Sequence, residues 1–493
     1  MDRVANAVEA LAVTLLLGLL TGALDGLFAD PVAAESVAQR MGTFALLDAV
    51  VLLPVGLLAS LVAMGASRRA RKRRAFLPLG LVAAFGYGLS HVVQSTSTSE
   101  ELRGSWLLEQ PLPYLRSPDE VRSVALITVD TMRYDALEHM PRLRQRAESA
   151  RRYDNAHSTS SWTLPAMASL HTGLAPADHG AGARMGPSSH QRSGLRDEVG
   201  TLAEALRLRG YVTGAVVTNP YLSVRYGLHR GFDRYIDLSR RALLQRGLRR
   251  SLLWRPWVPA ATDDPVPRAL QLHSRMVEGR AFLWVHAIEP HAPYTRLDTD
   301  PHEDCAMPDC FSDWRTRGDM DTIRALYDAD LARLDQQLDP LLEELIAPNR
   351  LVVLVADHGE AFGEHDGQAH GHAFYDEVTR VPLLVWGDGQ GVVDHNVDLM
   401  GLHQALLSWA DGGEATVVET QTPMAGLLFG EESSACVDGR HKYIDGVGAF
   451  DLRADPLELT VLQQPAPCAL RPIPPAEGDA QDVGVLRSLG YVE

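Results

Sequence analysis

The chain reads as an α/β protein. A mostly parallel sheet flanked by helices is expected, preceded by a three-helix transmembrane module and followed by a small C-terminal subdomain. Three observations predict this. Short apolar runs rich in Val, Ile and Leu alternate with amphipathic stretches through the middle of the chain, as strands buried on both faces alternate with covering helices. Three almost wholly apolar segments, 7–28, 42–65 and 75–94, crowd the N-terminus. The last 65 or so residues are rich in Pro and Gly. The division that follows is 1–95 for the membrane module, 96–121 for a linker, 122–425 for the α/β domain and 426–493 for the subdomain. A chain of 493 residues with 46% hydrophobic and 22% charged residues is not disordered, and four cysteines are too few for a disulfide scaffold. The net charge of −17 argues against binding nucleic acid through its phosphates.

Each N-terminal segment has about the 20 residues a helix needs to cross a bilayer. Glu9 and Asp25 can sit near interfaces, whereas Asp48 lies deeper and must be neutral, paired or snorkelling. The run Arg68, Arg69, Arg71, Lys72, Arg73, Arg74 separates the second and third segments and should stay cytoplasmic. The expectation is therefore a multi-pass cell-membrane protein with its catalytic domain outside the cytoplasm and the lipid bilayer as a partner. Beyond residue 75 the chain holds 38 basic and 57 acidic residues, so an anionic substrate would need local positive charge, such as a metal. Export would expose Cys305, Cys310, Cys436 and Cys468 to oxidation. Pairs 305–310 and 436–468 are the simplest arrangement, although the sequence leaves connectivity open.

Residues 96–121 are polar and then Pro-punctuated, as a linker is. Strands are predicted at VALITV (124–129), VTGAVVT (212–218), AFLWVH (281–286), LVVLVA (351–356) and VPLLVW (381–386). Helices are predicted at TLAEALRLRG (201–210) and from Thr322 to Leu345, with Pro340 expected to kink or break the second.

In such sheets reactive residues sit just past the C-terminal ends of strands. VALITV runs into Asp130, LVVLVA into Asp357 and His358, and AFLWVH into His286, Glu289 and His291. The stretch ADHGEAFGEHDGQAHGH (356–372) packs His358, His365, His370 and His372 among four glycines. An adjacent Asp-His pair can offer an oxygen and a nitrogen to one cation, a set that suits zinc or manganese better than calcium. In NAHSTSSWTLPAMASLHTG (155–173) hydroxyl residues lead into a helix with Pro165 in its first turn and Thr163 at or near the cap. Helix dipole and free N–H groups favour negative charge there. Alone, Thr163 would read as an ordinary cap.

Taken together, these segments resemble the sulfatase branch of the alkaline phosphatase superfamily. VALITVDTMRYDAL resembles its opening strand and metal-binding acid. SSWTLPAMASLHTG resembles its nucleophile turn, FLWVHAIEPHAPY its substrate-histidine loop, and DHGEAFGEHDGQAHG its second metal segment. The resemblance covers about residues 122–493 in the family's order and implies an alkaline-phosphatase-like sheet. It implies Asp130, Asp357 and His358 as ligands of a divalent metal (zinc or manganese favoured, calcium allowed) and Thr163 as nucleophile. His291 and His370 would contact substrate oxygens or a second metal, with His372 a weaker candidate. The His358–His370 spacing is similar to that of the family's phosphoethanolamine transferases. His286 and Arg380 are expected to be structural.

Two departures bear on the chemistry. Sulfatases place Cys or Ser at the nucleophile and Arg four residues later, whereas this chain has Thr163 and Met167. A secondary alcohol cannot give the formylglycine aldehyde, so no formylglycine is expected. Thr131 stands where many sulfatases have a second Asp, which moves the site away from calcium. A threonine ester must be opened by attack at phosphorus or sulfur, and that favours phosphate esters or diesters. The expected activity is a metal-dependent hydrolase or transferase acting on a cell-envelope lipid head group or glycan ester. The alternatives are a sulfuric ester hydrolase without formylglycine, and a catalytically weak binding protein on the same fold.

Overall fold

A computed structural model describes residues 122–184, 192–239, 264–276, 280–292, 294, 319–429 and 432–475. Its strands are β1 (Ser123–Val129), β2 (Arg151–His157), β3 (Val212–Val217), β4 (Arg234–Asp237), β5 (Ala281–Ala287) and β6 (Arg350–Ala356), then the short β7 (Ala361–Phe362) and β8 (Gln368–Ala369). They continue through β9 (Arg380–Trp386), β10 (Gly391–Val393) and β11 (Val397–Asp398). The main sheet runs β10-β2-β9-β6-β1-β5-β3-β4, with β11 paired to β2. β1 lies between β5 and β6, parallel to both, and its last six residues are buried. That burial is why the predicted strands read as continuous apolar runs and not as alternating ones.

β9 alone runs against its neighbours β2 and β6. Its Pro382 has no N–H to give a ladder. The pairing of β2 with β9 shifts register between Tyr153 and Ala156, opposite that residue, and the pairing with β6 stops at Leu383. β2 itself was not foreseen. Its sequence RRYDNAH carries charge along an outer part of the sheet, with only Tyr153, Ala156 and His157 buried.

The helices used below are α1 (Pro141–Ala147), α2 (Thr163–Thr172), α3 (Leu202–Leu208), α4 (Val266–His273), α5 (Met320–Leu345), α6 (Asp376–Thr379) and α7 (Leu399–Ala410). They form two sets that pack among themselves, α2 and α3 against α7, and α1 and α4 against α5. These two sets cover the sheet. α3 starts on a reciprocal cap, in which Thr201 accepts from Glu204 N–H and the Glu204 side chain accepts from Thr201 N–H. α5 runs unbroken through Pro340 to Leu345, so of the kink or break expected there the break does not occur. Buried Leu338, Leu341, Leu342 and Leu345 hold its last turns to the core on either side of that residue.

A second sheet, antiparallel, runs β12 (Gln421–Ala425), β13 (Ser434–Asp438), β14 (His441–Ile444), β15 (Gly448–Asp451). Phe374, Met424, Leu427, Val437, Ile444 and Phe450 form its core. Cys436 and Cys468 form a disulfide with Cα atoms 6.1 Å apart, the pairing expected. Lys442 on β14 is fully buried. Its Nζ reaches Asp376 Oδ1 at 2.7 Å, Thr379 Oγ1 at 3.0 Å and Glu458 Oε1 at 3.1 Å, so an ion cluster ties this sheet to α6.

One expectation is overturned. Among the described residues no helix is long and apolar enough to cross a membrane. The longest, α5, carries Asp321, Arg324, Asp328, Asp330 and Arg333 within four turns, and a lipid-facing helix would have to shed those charges. The multi-pass membrane localisation is corrected accordingly. The three apolar N-terminal segments, the linker and Cys305–Cys310 lie outside the described residues.

Candidate active site

Five strands deliver polar side chains to one edge of the sheet. Asp130 follows β1, Asp357 and His358 follow β6, and His291 follows β5 by a short loop. Thr163, reached through a hydroxyl-rich turn after β2, is the first residue of α2, with Trp162 as its cap residue. Asn219 follows β3. This is the carboxyl edge, where parallel sheets open a crevice.

Asp130, Asp357, His358 and Thr163 are completely buried. One ligand atom from each of Asp130, Asp357 and His358 lies within 4.8 Å of the other two. His358 Nε2 is 3.6 Å from Asp130 Oδ1 and 3.5 Å from Asp357 Oδ2. Thr163 Oγ1 is 3.4 Å from His358 Nε2 and 3.5 Å from Asp130 Oδ2. Ligands about 2.1 Å from a tetrahedral ion stand roughly 3.4 Å apart, so this spacing fits a cation. The bonding fits as well. Asp130 Oδ1 and Asp357 Oδ2 are buried oxygens without a hydrogen-bond partner, a costly state unless a positive ligand meets them. His358 Nδ1 bonds to the Gly359 carbonyl at 2.9 Å. A carbonyl can only accept, so Nδ1 carries the proton and the Nε2 lone pair faces the two carboxylates.

The protonation pattern follows from the packing. Burial and the neighbouring His370 pull His358 down to about 3, which keeps its ring neutral. Burial opposes ionisation of Asp130, yet His291, His286 and His358 hold its carboxyl well below the usual range. Asp357 is pushed well above that range by burial and then by the charge of Asp130. Two carboxylates facing each other without water are incompatible as a pair of bare anions. Thr131 sharpens the same turn. It adopts φ 52°, held there because its N–H donates to Asp357 Oδ1 at 3.1 Å and its carbonyl accepts from Tyr327 Oη at 2.8 Å.

His370 joins this group, its ring 4.5 Å from that of His358 and 5.0 Å from that of His291. His372 does not. It is exposed and stacks on Phe429 with centroids 4.5 Å apart. His365 stacks on Tyr375 at 3.7 Å and bonds Glu377 at 2.9 Å. His286 lies in β5 with Nδ1 at 2.8 Å from Thr128 Oγ1 and Nε2 at 3.4 Å from Asp130 Oδ2, where it braces that carboxylate. Arg380 donates to the Asp154 carbonyl at 2.6 and 3.1 Å. Met167 is buried within α2.

Two residues at the site were not anticipated. Asn219 Nδ2 donates to Asp130 Oδ2 at 2.5 Å and to Thr163 Oγ1 at 3.2 Å. Its Oδ1 accepts from Tyr221 N–H at 2.8 Å, which fixes which end of the amide faces the hydroxyl. The signal was available, since Asn219 stands just past a buried strand like Asp130, but Thr-Asn-Pro reads first as a turn. The second is Glu360, buried between His370 and Tyr294.

A family model described as Sulfatase matches residues 123–412. A choline-sulfatase of Rhizobium meliloti (strain 1021) is 28% identical over 200 residues, covering 34% of this chain and 38% of that protein. An iduronate 2-sulfatase of Mus musculus is 24% identical over 340 residues, covering 56% of this chain and 61% of that protein. The chain thus spans between about two-fifths and three-fifths of the length of these curated relatives. Among solved structures, the phosphonate monoester hydrolase of Agrobacterium radiobacter superposes with a TM-score of 0.52 at 19% identity, covering 69% of this chain and 91% of that one. A 2-O GAG sulfatase gives 0.52 at 18% identity, covering 70% and 88%. At such identities the structural likeness establishes the fold, an alkaline-phosphatase-like α/β architecture.

Proposed function

The chain belongs to the sulfatase family, and from that premise we propose that it is a metal-dependent ester hydrolase or transferase. Its substrates would be phosphate esters or diesters, and Thr163 its nucleophile. The observation that carries this reading is the environment of the Thr163 hydroxyl. It stands on the first residue of α2, 3.4 Å from His358 Nε2 and 3.2 Å from Asn219 Nδ2.

Asp130, Asp357 and His358 would hold the cation, and their mixed nitrogen and oxygen donors favour zinc or manganese over calcium. Bound there, a divalent cation would neutralise charge on the transferred group and favour the alkoxide of a nearby hydroxyl. The remaining work falls to the chain. The start of α2 adds its dipole to the stabilisation of Thr163 Oγ1, and Asn219 holds that oxygen in line. Attack forms an O–P bond to Thr163 and breaks the P–O bond to the leaving alcohol. Water or an acceptor alcohol then opens the threonine ester at phosphorus, a displacement that charge stabilisation alone can drive. His291 and His370 would face the oxygens of the substrate. A glycan or a polar head group suits as the alcohol half. The names of the matched relatives favour a second reading, hydrolysis of a sulfuric ester without formylglycine.

A rate panel on the full chain separates these readings. Nitrophenyl phosphate, bis-nitrophenyl phosphate and nitrophenyl sulfate are compared with Zn²⁺, Mn²⁺, Ca²⁺ or chelator, with Thr163→Ala as control. Phosphoester turnover that needs metal and vanishes in Thr163→Ala is expected. Turnover of the sulfate alone would transfer the assignment to the second reading, and equal rates in the variant would remove Thr163 from the mechanism.

A further inference from the structure

Glu360 is a buried carboxylate at the site whose partners lie outside the Asp130, Asp357 and His358 group. Its side chain is completely buried, and both of its oxygens are engaged. Oε1 and His370 Nδ1 share a hydrogen bond of 2.9 Å, and Oε2 accepts from Tyr294 Oη at 3.0 Å. The backbone is pinned on both sides as well. Glu360 N–H donates to the Glu377 carbonyl at 3.0 Å, and its own carbonyl accepts from Arg133 Nη1 at 2.7 Å. Four bonds therefore define one position for the carboxyl group, and that position defines the ring of His370.

The geometry points to Glu360 as a positioning residue that acts through His370, a role that rests on the reading of the site given above. With Nδ1 turned to Glu360, the ring of His370 sits 4.5 Å from that of His358 and 5.0 Å from that of His291. A carboxyl group at Nδ1 also sets what Nε2 can do. Because that one contact occupies Nδ1, the ring is held in one orientation and its other nitrogen is left for an oxygen of the substrate. Without Glu360 a neutral ring could place its single proton on either nitrogen and would rotate more freely. Tyr294 completes the arrangement by occupying the second carboxyl oxygen, which keeps Glu360 from turning toward the cation group. Glu360 thus stands to His370 as an outer partner stands to a ligating histidine.

The test uses the full chain with Glu360→Gln, Glu360→Asp, His370→Gln and the double variant Glu360→Gln/His370→Gln. Bound metal is measured by elemental analysis, and kcat and KM are measured on the best ester of the panel. Glu360→Gln is expected to lower kcat about 10- to 100-fold, with KM and metal content little changed and part of the loss restored in Glu360→Asp. The double variant should be no slower than His370→Gln, because the two residues act as a unit. A downfield Nδ1 proton in ¹⁵N-histidine spectra, assigned by its absence in His370→Gln, should also vanish in Glu360→Gln. Loss of metal from Glu360→Gln, additive losses in the double variant, or an unchanged Nδ1 resonance would each overturn the proposal. If no ester is turned over, the phosphoester reading fails, and the resonance still decides how the ring is held.

Discussion

Thr163 owes its setting to a neighbour that carries no charge. Asn219 offers one amide hydrogen to Asp130 Oδ2 and another to Thr163 Oγ1 while its own oxygen is fixed by Tyr221 N–H. Asn219→Ala removes both donors, so kcat should fall about 10- to 100-fold with KM little changed, measured on the same esters. Asn219→Asp should be worse than Ala, because it places a further carboxylate against Asp130. Most of this clustering was legible in the sequence. Asp130, Thr163, Asp357, His358, His291 and His370 stand just past strand ends or in the Gly-His run, and the fold brings them to one place. His372 stands apart from them, since two residues beyond His370 the chain has already turned outward after Gly371, whose φ is 80°. Glu360 stayed hidden for the opposite reason. A glutamate between glycine and alanine looks like a solvated charge, and only the buried contacts with Tyr294 and His370 reveal it.

Element by element, the loop that carries Asp357 and His358 depends on how closely α6 can approach it. Gly359 N–H donates to the Val378 carbonyl at 2.7 Å, and a Cβ at Gly359 would lie 2.2 Å from the Glu377 carbonyl oxygen. Glycine is needed here for the close approach of two backbones. Gly359→Ala should therefore destabilise the fold by roughly 1–3 kcal/mol, read as a lower denaturant midpoint. It should also weaken metal binding, because the displaced residue adjoins His358. An unchanged midpoint would show that α6 can move aside. β2 escaped sequence reading because it is charged, lying near the sheet margin, whereas β9 was foreseen as a strand but not its reversal, which depends on a connection and not on composition. Pro340 failed to end α5 because apolar contacts on both sides outweigh one lost hydrogen bond.

Across the whole molecule, the antiparallel sheet is fastened to the catalytic sheet by a buried cation between two acids. Burial pushes Glu458 up to about 7 against the pull of Lys442, while Lys442 and His157 hold Asp376 well below the usual range despite its burial. The two shifts act in opposite directions. Glu458 binds its proton more tightly folded than unfolded, so its contribution is complete below about 4.5 and is lost as pH rises through about 7. Asp376 is the reverse, contributing at pH values above its ordinary 3.8 and losing that contribution in acid. Melting temperature should thus decline between about 4.5 and 7 by this term, and Glu458→Gln should flatten that slope. A slope unchanged in the variant would place the titration elsewhere. Lys442→Met should cost roughly 3–5 kcal/mol, because it leaves Asp376 and Glu458 buried together without their cation.

All of these elements converge on one hydroxyl. The most direct measurement is peptide mass mapping of the metal-loaded chain, quenched in acid during turnover of bis-nitrophenyl phosphate. The account predicts a phosphoester on Thr163, absent without metal and absent in Thr163→Ala. Turnover with no modification of Thr163, or with the ester on another residue, would contradict it.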